Sequence, residues 1–280
     1  VMAADPDADR VGAAVKNNEG EWVLLNGNQT ALMFVYYLIT RWKELGKING
    51  KEYIVKTIVT TETIKTIAER NGVEMYDVYT GFKWIANVMR ENEGKKNYIG
   101  GGEESYGFLC EDFVRDKDAV SACVILAEIA AWAKDQGLSL YQLLQKIYVE
   151  YGFSKEKGIS VVKKGKSGAE EIEAMMKKFR ENPLTEIAGS KVTYFYDYST
   201  LKGKDYAENE TVTLDMPTTS NVLQYFTEDN TKVSIRPSGT EPKIKFYCEV
   251  HSKVKNIDEL PEAEKAAEEK INQIKASLGI

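Results

Sequence analysis

The chain has 280 residues, 43% hydrophobic and 29% charged, with 43 acidic against 37 basic side chains and a formal net charge of −6. That length suits two domains better than one core, and the acidic balance excludes a broad nucleic-acid surface while leaving room for focused Lys and Arg sites. No apolar run approaches the ~20 residues of a membrane span and no signal-peptide pattern opens the sequence. Three widely spaced cysteines, Cys110, Cys123 and Cys248, fit neither a disulfide framework nor a zinc site, so reduced core cysteines and a cytoplasmic protein are expected.

Val1–Ala4 has the look of the last part of a strand, residues 5–10 of its loop, and Val11–Val15 of a strand leaving it. Trp22–Leu25 is another apolar run, closed by Asn26-Gly27. Leu32, Val35, Tyr36 and Ile39 then share one helical face, and Gly46 ends that helix. A strand follows at Tyr53–Val59, and Thr61 is placed to cap a helix running to Arg70. A strand at Val73–Tyr79, a helix from Phe82 to Asn92, and a strand at Tyr98-Ile99 running into Gly100-Gly101-Gly102 come next, then helices over Lys117–Asp135 and Leu140–Glu150. This alternation predicts a layered α/β domain with a mostly parallel sheet over residues 21–151.

Beyond Gly152 the order changes. Strands are predicted at Ile159–Val162, Val192–Tyr198, Val212–Leu214, Val222–Phe226, Lys232–Ile235 and Lys243–Val250. They surround a helix opened by the capping box Ser167-x-x-Glu170, and a charged helix over Ile257–Leu278 closes the chain. That is a smaller α+β domain with an antiparallel sheet over 152–280, and residues 1–20 are expected to be the tail of a further domain.

His251 is the only histidine, in an alternating strand-like segment, so catalysis built on Ser-His-Asp or Cys-His is not credible here. The chemistry lies in three loops instead. In Asp5-Pro6-Asp7-Ala8-Asp9-Arg10 an extended backbone would point the carboxylates of Asp5, Asp7 and Asp9 the same way, toward one hard cation such as Mg²⁺. An EF-hand would need Gly and an acid where Arg10 and Lys16 stand. In Gly102-Glu103-Glu104-Ser105-Tyr106-Gly107 the carboxylate of Glu103 and the hydroxyl of Ser105 suit adjacent sugar hydroxyls, with the preceding glycines letting the backbone approach a ligand. In Arg236-Pro237-Ser238-Gly239-Thr240-Glu241-Pro242-Lys243 a guanidinium, two hydroxyls, an ammonium and glycine amides suit a phosphate dianion.

Together, in this order, the three loops resemble the α-D-phosphohexomutase family, most closely its phosphoglucomutase branch. Asp-Pro-Asp-Ala-Asp-Arg is similar to the family's magnesium loop, Gly-Glu-Glu-Ser-Tyr-Gly to its sugar loop, and Arg-Pro-Ser-Gly-Thr-Glu-Pro to its phosphate loop. The resemblance implies Asp5, Asp7 and Asp9 as Mg²⁺ ligands. It implies Glu103 and Ser105 as sugar ligands, and Arg236, Ser238, Gly239 and Thr240 as ligands of the distal phosphate. Thr80-Gly81-Phe82-Lys83 and Arg115-Asp116-Lys117-Asp118 also resemble family segments, implying Lys83 in substrate binding, and Lys117 with Arg10 in catalysis. Phe82 stands where other branches carry His, so no role passes to it.

The implied activity is an intramolecular phosphotransferase: hexose 1-phosphate and 6-phosphate exchange through a phosphoserine enzyme and a 1,6-bisphosphate. The family's phosphoserine sits in a Thr/Ser-Ala-Ser-His-Asn-Pro loop, and the lone histidine here follows Val250 instead. The resemblance thus spans the end of domain two and domains three and four. It implies N-terminal domains outside these 280 residues and a portion inactive by itself. Expected partners are hexose phosphates, with no nucleic acid and no membrane. A non-enzymatic sugar-phosphate binding module and an aspartyl-nucleophile phosphatase are the alternatives.

Overall fold

The computed structural model describes residues 1–163, 165–239 and 241–280, apart from the side chain of Lys166. Two compact units emerge: Val1–Gly152 with Val254–Ile257, and Phe153–Lys253 with Asp258–Ile280. Residues 1–20 belong to the first unit.

The first unit opens on an antiparallel meander of β1 (Met2–Ala4), β2 (Val11–Lys16) and β3 (Trp22–Leu25). Val11, Ala13 and Val15 alternate inward on β2, as a half-buried strand requires. Helix α1 (Gly27–Glu44) starts at a capping box in which the Asn26 side chain accepts from the Gln29 amide and the Gln29 side chain accepts from the Asn26 amide. There follow β4 (Glu52–Thr57), α2 (Thr63–Arg70), β5 (Glu74–Val78), α3 (Phe82–Asn92), β6 (Asn97–Gly102), β7 (Phe108–Cys110), α4 (Ala119–Asp135) and α5 (Leu140–Tyr151).

The second sheet has the order β5-β4-β6-β7; β4 runs parallel to β5 and β6, and only β7 is reversed. Every residue of β4 is buried, because helices cover both sheet faces. On one face, Tyr53, Val55, Val78 and Tyr98 pack with Phe82, Ile85, Val88 and Met89 of α3. On the other, Phe34 of α1 stacks on Phe108 at 4.5 Å. The unit is the layered α/β domain with a mostly parallel sheet.

Some boundaries depart from the sequence reading. Gly100-Gly101-Gly102 are not an open ligand loop but the buried end of β6, where a Cβ on Gly101 would lie 2.4 Å from the Val55 carbonyl and one on Gly102 2.5 Å from the Phe108 ring. Their lack of side chains serves strand packing. The cap position of α2 is Glu62; the Thr61 hydroxyl accepts from the Thr63 amide at 3.4 Å from one residue further out. Helix α4 starts at Ala119 rather than Lys117, because Asp118 caps it, accepting from the amides of Val120 and Ser121.

The second unit contains β8 (Phe153–Val162), α6 (Gly165–Glu181), β9 (Glu186–Ile187), β10 (Ser190–Asp197), β11 (Lys202–Asp205), β12 (Glu210–Thr213), β13 (Leu223–Thr227), β14 (Lys232–Pro237), β15 (Lys243–Ser252) and α7 (Leu260–Leu278). The strands form one antiparallel sheet, β12-β11-β10-β13-β14-β15-β8, with β9 paired to β10. Its inward face carries Phe195, Tyr225, Ile235 and Phe246; Phe246 meets Phe179 of α6 edge-on, and the Tyr225 hydroxyl donates to the Phe179 carbonyl at 2.9 Å. Helix α7 is tied to β8 by Lys155 with Glu264 and Lys157 with Glu268. This is the α+β domain with an antiparallel sheet. Ser167 falls inside α6, which begins at Gly165, so the expected capping box is not the helix start. The last helix begins at Leu260, after a short 3-10 turn at Ile257–Glu259.

Candidate functional site

The acidic loop is a turn, not an extended segment. The Ala8 amide donates to the Asp5 carbonyl at 2.9 Å, the Asp5 amide donates to the Arg10 carbonyl at 3.1 Å, and Ala8 adopts a left-handed φ of 55°. Folding back in this way breaks the alternation that would aim three carboxylates at one point. Asp5 Oδ1 instead accepts the amides of Asp9 and Arg10, each at 3.1 Å. Those donors overcome the upward push of desolvation and hold the Asp5 carboxyl below its usual value. Asp9 Oδ2 lies 2.7 Å from Lys117 Nζ, and Asp9 Oδ1 3.7 Å from Arg10 Nε. Among the described residues no group of three His, Cys, Asp or Glu side chains is placed to hold a metal ion. The donor chemistry suits Mg²⁺; the loop as folded does not form its cage.

The loop is nevertheless at the centre of a convergence within the first unit. Arg10 forms a β-bridge with Gly107, the Val11 amide donates to the Tyr106 carbonyl at 3.1 Å, and the Ala119 amide to the Ala8 carbonyl at 3.1 Å. Residues 5–10, 102–107 and 115–118, far apart in sequence, thus share one hydrogen-bonded core. Lys117 is its hinge pin. Burial lowers the pKa of its ammonium, but bonds to Asp9 and Asp116 outweigh this and leave the value raised, so it is charged at neutral pH. A Cβ on Gly107 would sit 2.7 Å from the Lys117 stem, so a side chain there would have to push Lys117 from its place along the turn, with Glu103 Oε2 in ordinary contact at 3.5 Å.

Glu103 is 6% exposed and aimed by the fold. Its Oε1 accepts the Gly81 amide at 2.7 Å, and its own amide donates to the Gly107 carbonyl at 2.9 Å. Gly81 caps α3 with a φ of 111°, a conformation that costs a side-chain-bearing residue energy. Lys83 is exposed on the first turn of α3, with Nζ 5.1 Å from the centroid of the Trp84 ring, a cation–π distance. Ser105 is partly buried beside Tyr106, whose φ is 72°. Asp5, Arg10 and Tyr106 line a groove together with Ala4, Ala13 and Leu25.

In the second unit, Arg236 and Pro237 end β14 and Lys243 opens β15. The turn between them is tight. The Ser238 amide donates to the Lys243 carbonyl at 2.8 Å, the Glu241 amide to Ser238 Oγ at 3.3 Å, and Glu241 pairs with Lys243. Gly239 is exposed, with open space where a Cβ would be; Thr240 lies outside the described residues. Arg236 faces Lys245 directly across the β14–β15 ladder. Two cations in opposed positions repel, which makes the pair receptive to an anion.

Two family descriptions match the chain. "Phosphoglucomutase/phosphomannomutase, alpha/beta/alpha domain III" matches residues 26–151, and "Phosphoglucomutase/phosphomannomutase, C-terminal domain" matches residues 160–267. The chain belongs to the phosphoglucomutase/phosphomannomutase family. The first match holds residues 102–107, Lys83 and Lys117, and the second holds residues 236–243.

Among relatives, the phosphoglucomutase of Staphylococcus aureus (strain USA300) is 37% identical over 260 residues, covering 93% of this chain and 46% of that protein. That of Staphylococcus haemolyticus (strain JCSC1435) is 33% identical, covering 90% of this chain and 45% of that protein. The chain therefore spans about half the length of the relatives it matches. Solved structures that share its fold include pp63/parafusin of Paramecium, at a TM-score of 0.58 and 18% identity over 91% of this chain and 41% of that one. A phosphoglucomutase/phosphomannomutase family protein of Burkholderia thailandensis matches at a TM-score of 0.58 and 17% identity over 99% of this chain and 46% of that one.

Several residues that shape this candidate site carry no obvious signal in sequence. Gly27 is the clearest: a Cβ there would lie 1.9 Å from the Glu104 carbonyl oxygen and 2.8 Å from the Tyr106 amide. The first turn of α1 is pressed against the 102–107 loop, and nothing near Gly27 in sequence announces it. Thr57, Thr60 and Lys245 likewise look like ordinary strand and turn residues until the fold places them.

Proposed function

We propose that this chain supplies the sugar- and phosphate-recognition parts of a phosphosugar mutase that interconverts hexose 1-phosphate and hexose 6-phosphate through a phosphoserine enzyme and a 1,6-bisphosphate. Family membership supports the reaction class. The observation that carries the reading is the convergence on Lys117, which reaches the acidic loop through Asp9 and lies along Gly107 of the sugar loop.

In this reading Glu103 accepts hydrogen bonds from sugar hydroxyls with the oxygen that the Gly81 amide does not use, and Ser105 donates and accepts beside it. Lys117 brings positive charge to the transferring phosphoryl group, Lys83 binds the substrate, and Arg10 helps orient the phosphoserine. In the second unit, Arg236, Ser238, Gly239 and Thr240 hold the phosphate that is not transferred, and holding it in both substrate orientations is the positional catalysis that a mutase needs. Mg²⁺ held by Asp5, Asp7 and Asp9 would neutralise charge on the transferring group, although these carboxylates are not gathered into a cage among the described residues. The phosphoserine loop of the family does not occur in these 280 residues, so the chain alone is expected to bind hexose phosphates without turning them over. An aspartyl nucleophile is disfavoured by the two amides that tie down Asp5 Oδ1.

Calorimetric titration with glucose 1-phosphate, glucose 6-phosphate and free glucose tests this. Both phosphates are expected to bind and glucose far more weakly. Arg236→Ala and Glu103→Gln should each lower affinity by about tenfold, the scale of a lost charged hydrogen bond. Equal affinity for wild type and both variants would refute the residue roles.

A further inference from the structure

Glu104 stands between the two residues assigned to the sugar, and its bonds describe a closed ring. Its amide donates to Thr60 Oγ1 at 3.2 Å; the hydroxyls of Thr60 and Thr57 are 2.8 Å apart; and Thr57 Oγ1 donates back to Glu104 Oε2 at 3.2 Å. Direction around the ring is forced. An amide only donates and a carboxylate only accepts, so the Thr60 proton points to Thr57 and the Thr57 proton to Glu104. Both threonines are 0% exposed, which removes water as a substitute partner. A turn at the end of β4, with the Thr60 amide donating to the Thr57 carbonyl at 2.9 Å, sets the hydroxyls side by side. On its other side the Glu104–Tyr106 backbone rests on Gly27.

We propose that Thr57 and Thr60 are positioning residues of the sugar site: their hydroxyl relay pins Glu104 at both its amide and its carboxylate, and so fixes the orientation of Glu103 and Ser105 on either side. Glu104 is then an anchor and not a sugar ligand, which divides the Glu-Glu pair into two roles. This rests on the sugar-binding reading of Glu103 and Ser105.

The test uses this chain with Thr57→Val, Thr57→Ser and Thr60→Val. Two readouts are taken: affinity for glucose 6-phosphate, and amide hydrogen exchange at Glu104 measured without ligand, with the β4 amides as an internal control for folding. Thr57→Val and Thr60→Val should weaken binding by about tenfold, because a buried relay is broken, while Thr57→Ser, which keeps the hydroxyl, stays within about twofold. Thr60→Val should speed exchange at Glu104 by about tenfold or more with the β4 amides still protected. Wild-type affinity and wild-type exchange in both valine variants would overturn the proposal, as would a Thr57→Ser variant as weak as Thr57→Val. If wild type binds no sugar phosphate yet Thr60→Val still frees the Glu104 amide, the anchor stands and the sugar reading falls.

Discussion

Lys117 Nζ lies 2.7 Å from Asp9 Oδ2, joining a lysine just before α4 to the loop between β1 and β2. Both side chains are largely sheltered, at 15% and 27% exposure, and the bond occupies a carboxylate that a divalent cation would need. Mg²⁺ titrated into the chain is therefore expected to bind weakly. Lys117→Met should tighten it by about fivefold, the effect of removing one partly screened ammonium, and Asp7→Asn should weaken it. Calorimetry at low salt reads both; a Lys117→Met variant with unchanged Mg²⁺ affinity contradicts the competition.

Gly27 supports the 102–107 loop through the absence of a side chain. Gly27→Ala should destabilise the first unit by about 1–3 kcal/mol, because an inserted methyl must displace the Glu104–Tyr106 backbone. Gly12→Ala is the control, with its nearest contact at 4.0 Å. Thermal denaturation of the two variants should separate them clearly.

In the second unit, Lys232 Nζ lies 2.9 Å from Glu249 Oε2 with both side chains buried, and His251 Nε2 lies 2.8 Å from Glu249 Oε1. Lys232→Met removes the ammonium nearest a buried carboxylate and is expected to cost about 3–5 kcal/mol in chemical denaturation.

The same cluster makes stability depend on pH. Burial lowers the pKa of the His251 imidazole, but the Glu249 carboxylate, aided by Glu156 and opposed by Lys232, outweighs it and raises the value above the ordinary 6.5. A raised folded-state value means that the stabilisation is complete below pH 6.5 and is lost as pH climbs through the folded-state value. The melting temperature of wild type should fall as pH climbs through that value, and His251→Gln should flatten the curve.

The three thiols should differ in reactivity. Burial pushes the Cys248 thiol up to about 12 and raises Cys110 as well, whereas Cys123 is partly exposed on α4. A thiol reagent at neutral pH should modify Cys123 first in the native protein and all three cysteines after unfolding.

Most elements were legible because their side chains repeat with the period of their backbone. Helix α3 from Phe82 to Asn92 and the alternating strand β15 are such cases. The misses are elements held by neighbours and not by their own pattern. Strand β11, Lys-Gly-Lys-Asp, has no apolar residue; it exists because β10 and β12 supply its ladder and Gly203 admits the ring of Tyr196 at 2.4 Å from where a Cβ would be. Strand β7 is only three residues long and is recruited by β6.

The site divides in the same way. Residue type and spacing alone marked Asp5, Asp7 and Asp9, Glu103 and Ser105, and Arg236 to Lys243 as chemistry-bearing, because carboxylates, hydroxyls and guanidinium groups so crowded need a partner. What sequence could not decide was direction. The acidic loop folded into a turn at Ala8, Lys117 took the bond to Asp9, and Gly27, Thr57 and Thr60, separated from the 102–107 loop by dozens of residues, came to hold it. Those are long-range contacts, set by how α1, β4 and β6 pack, and no local pattern encodes them.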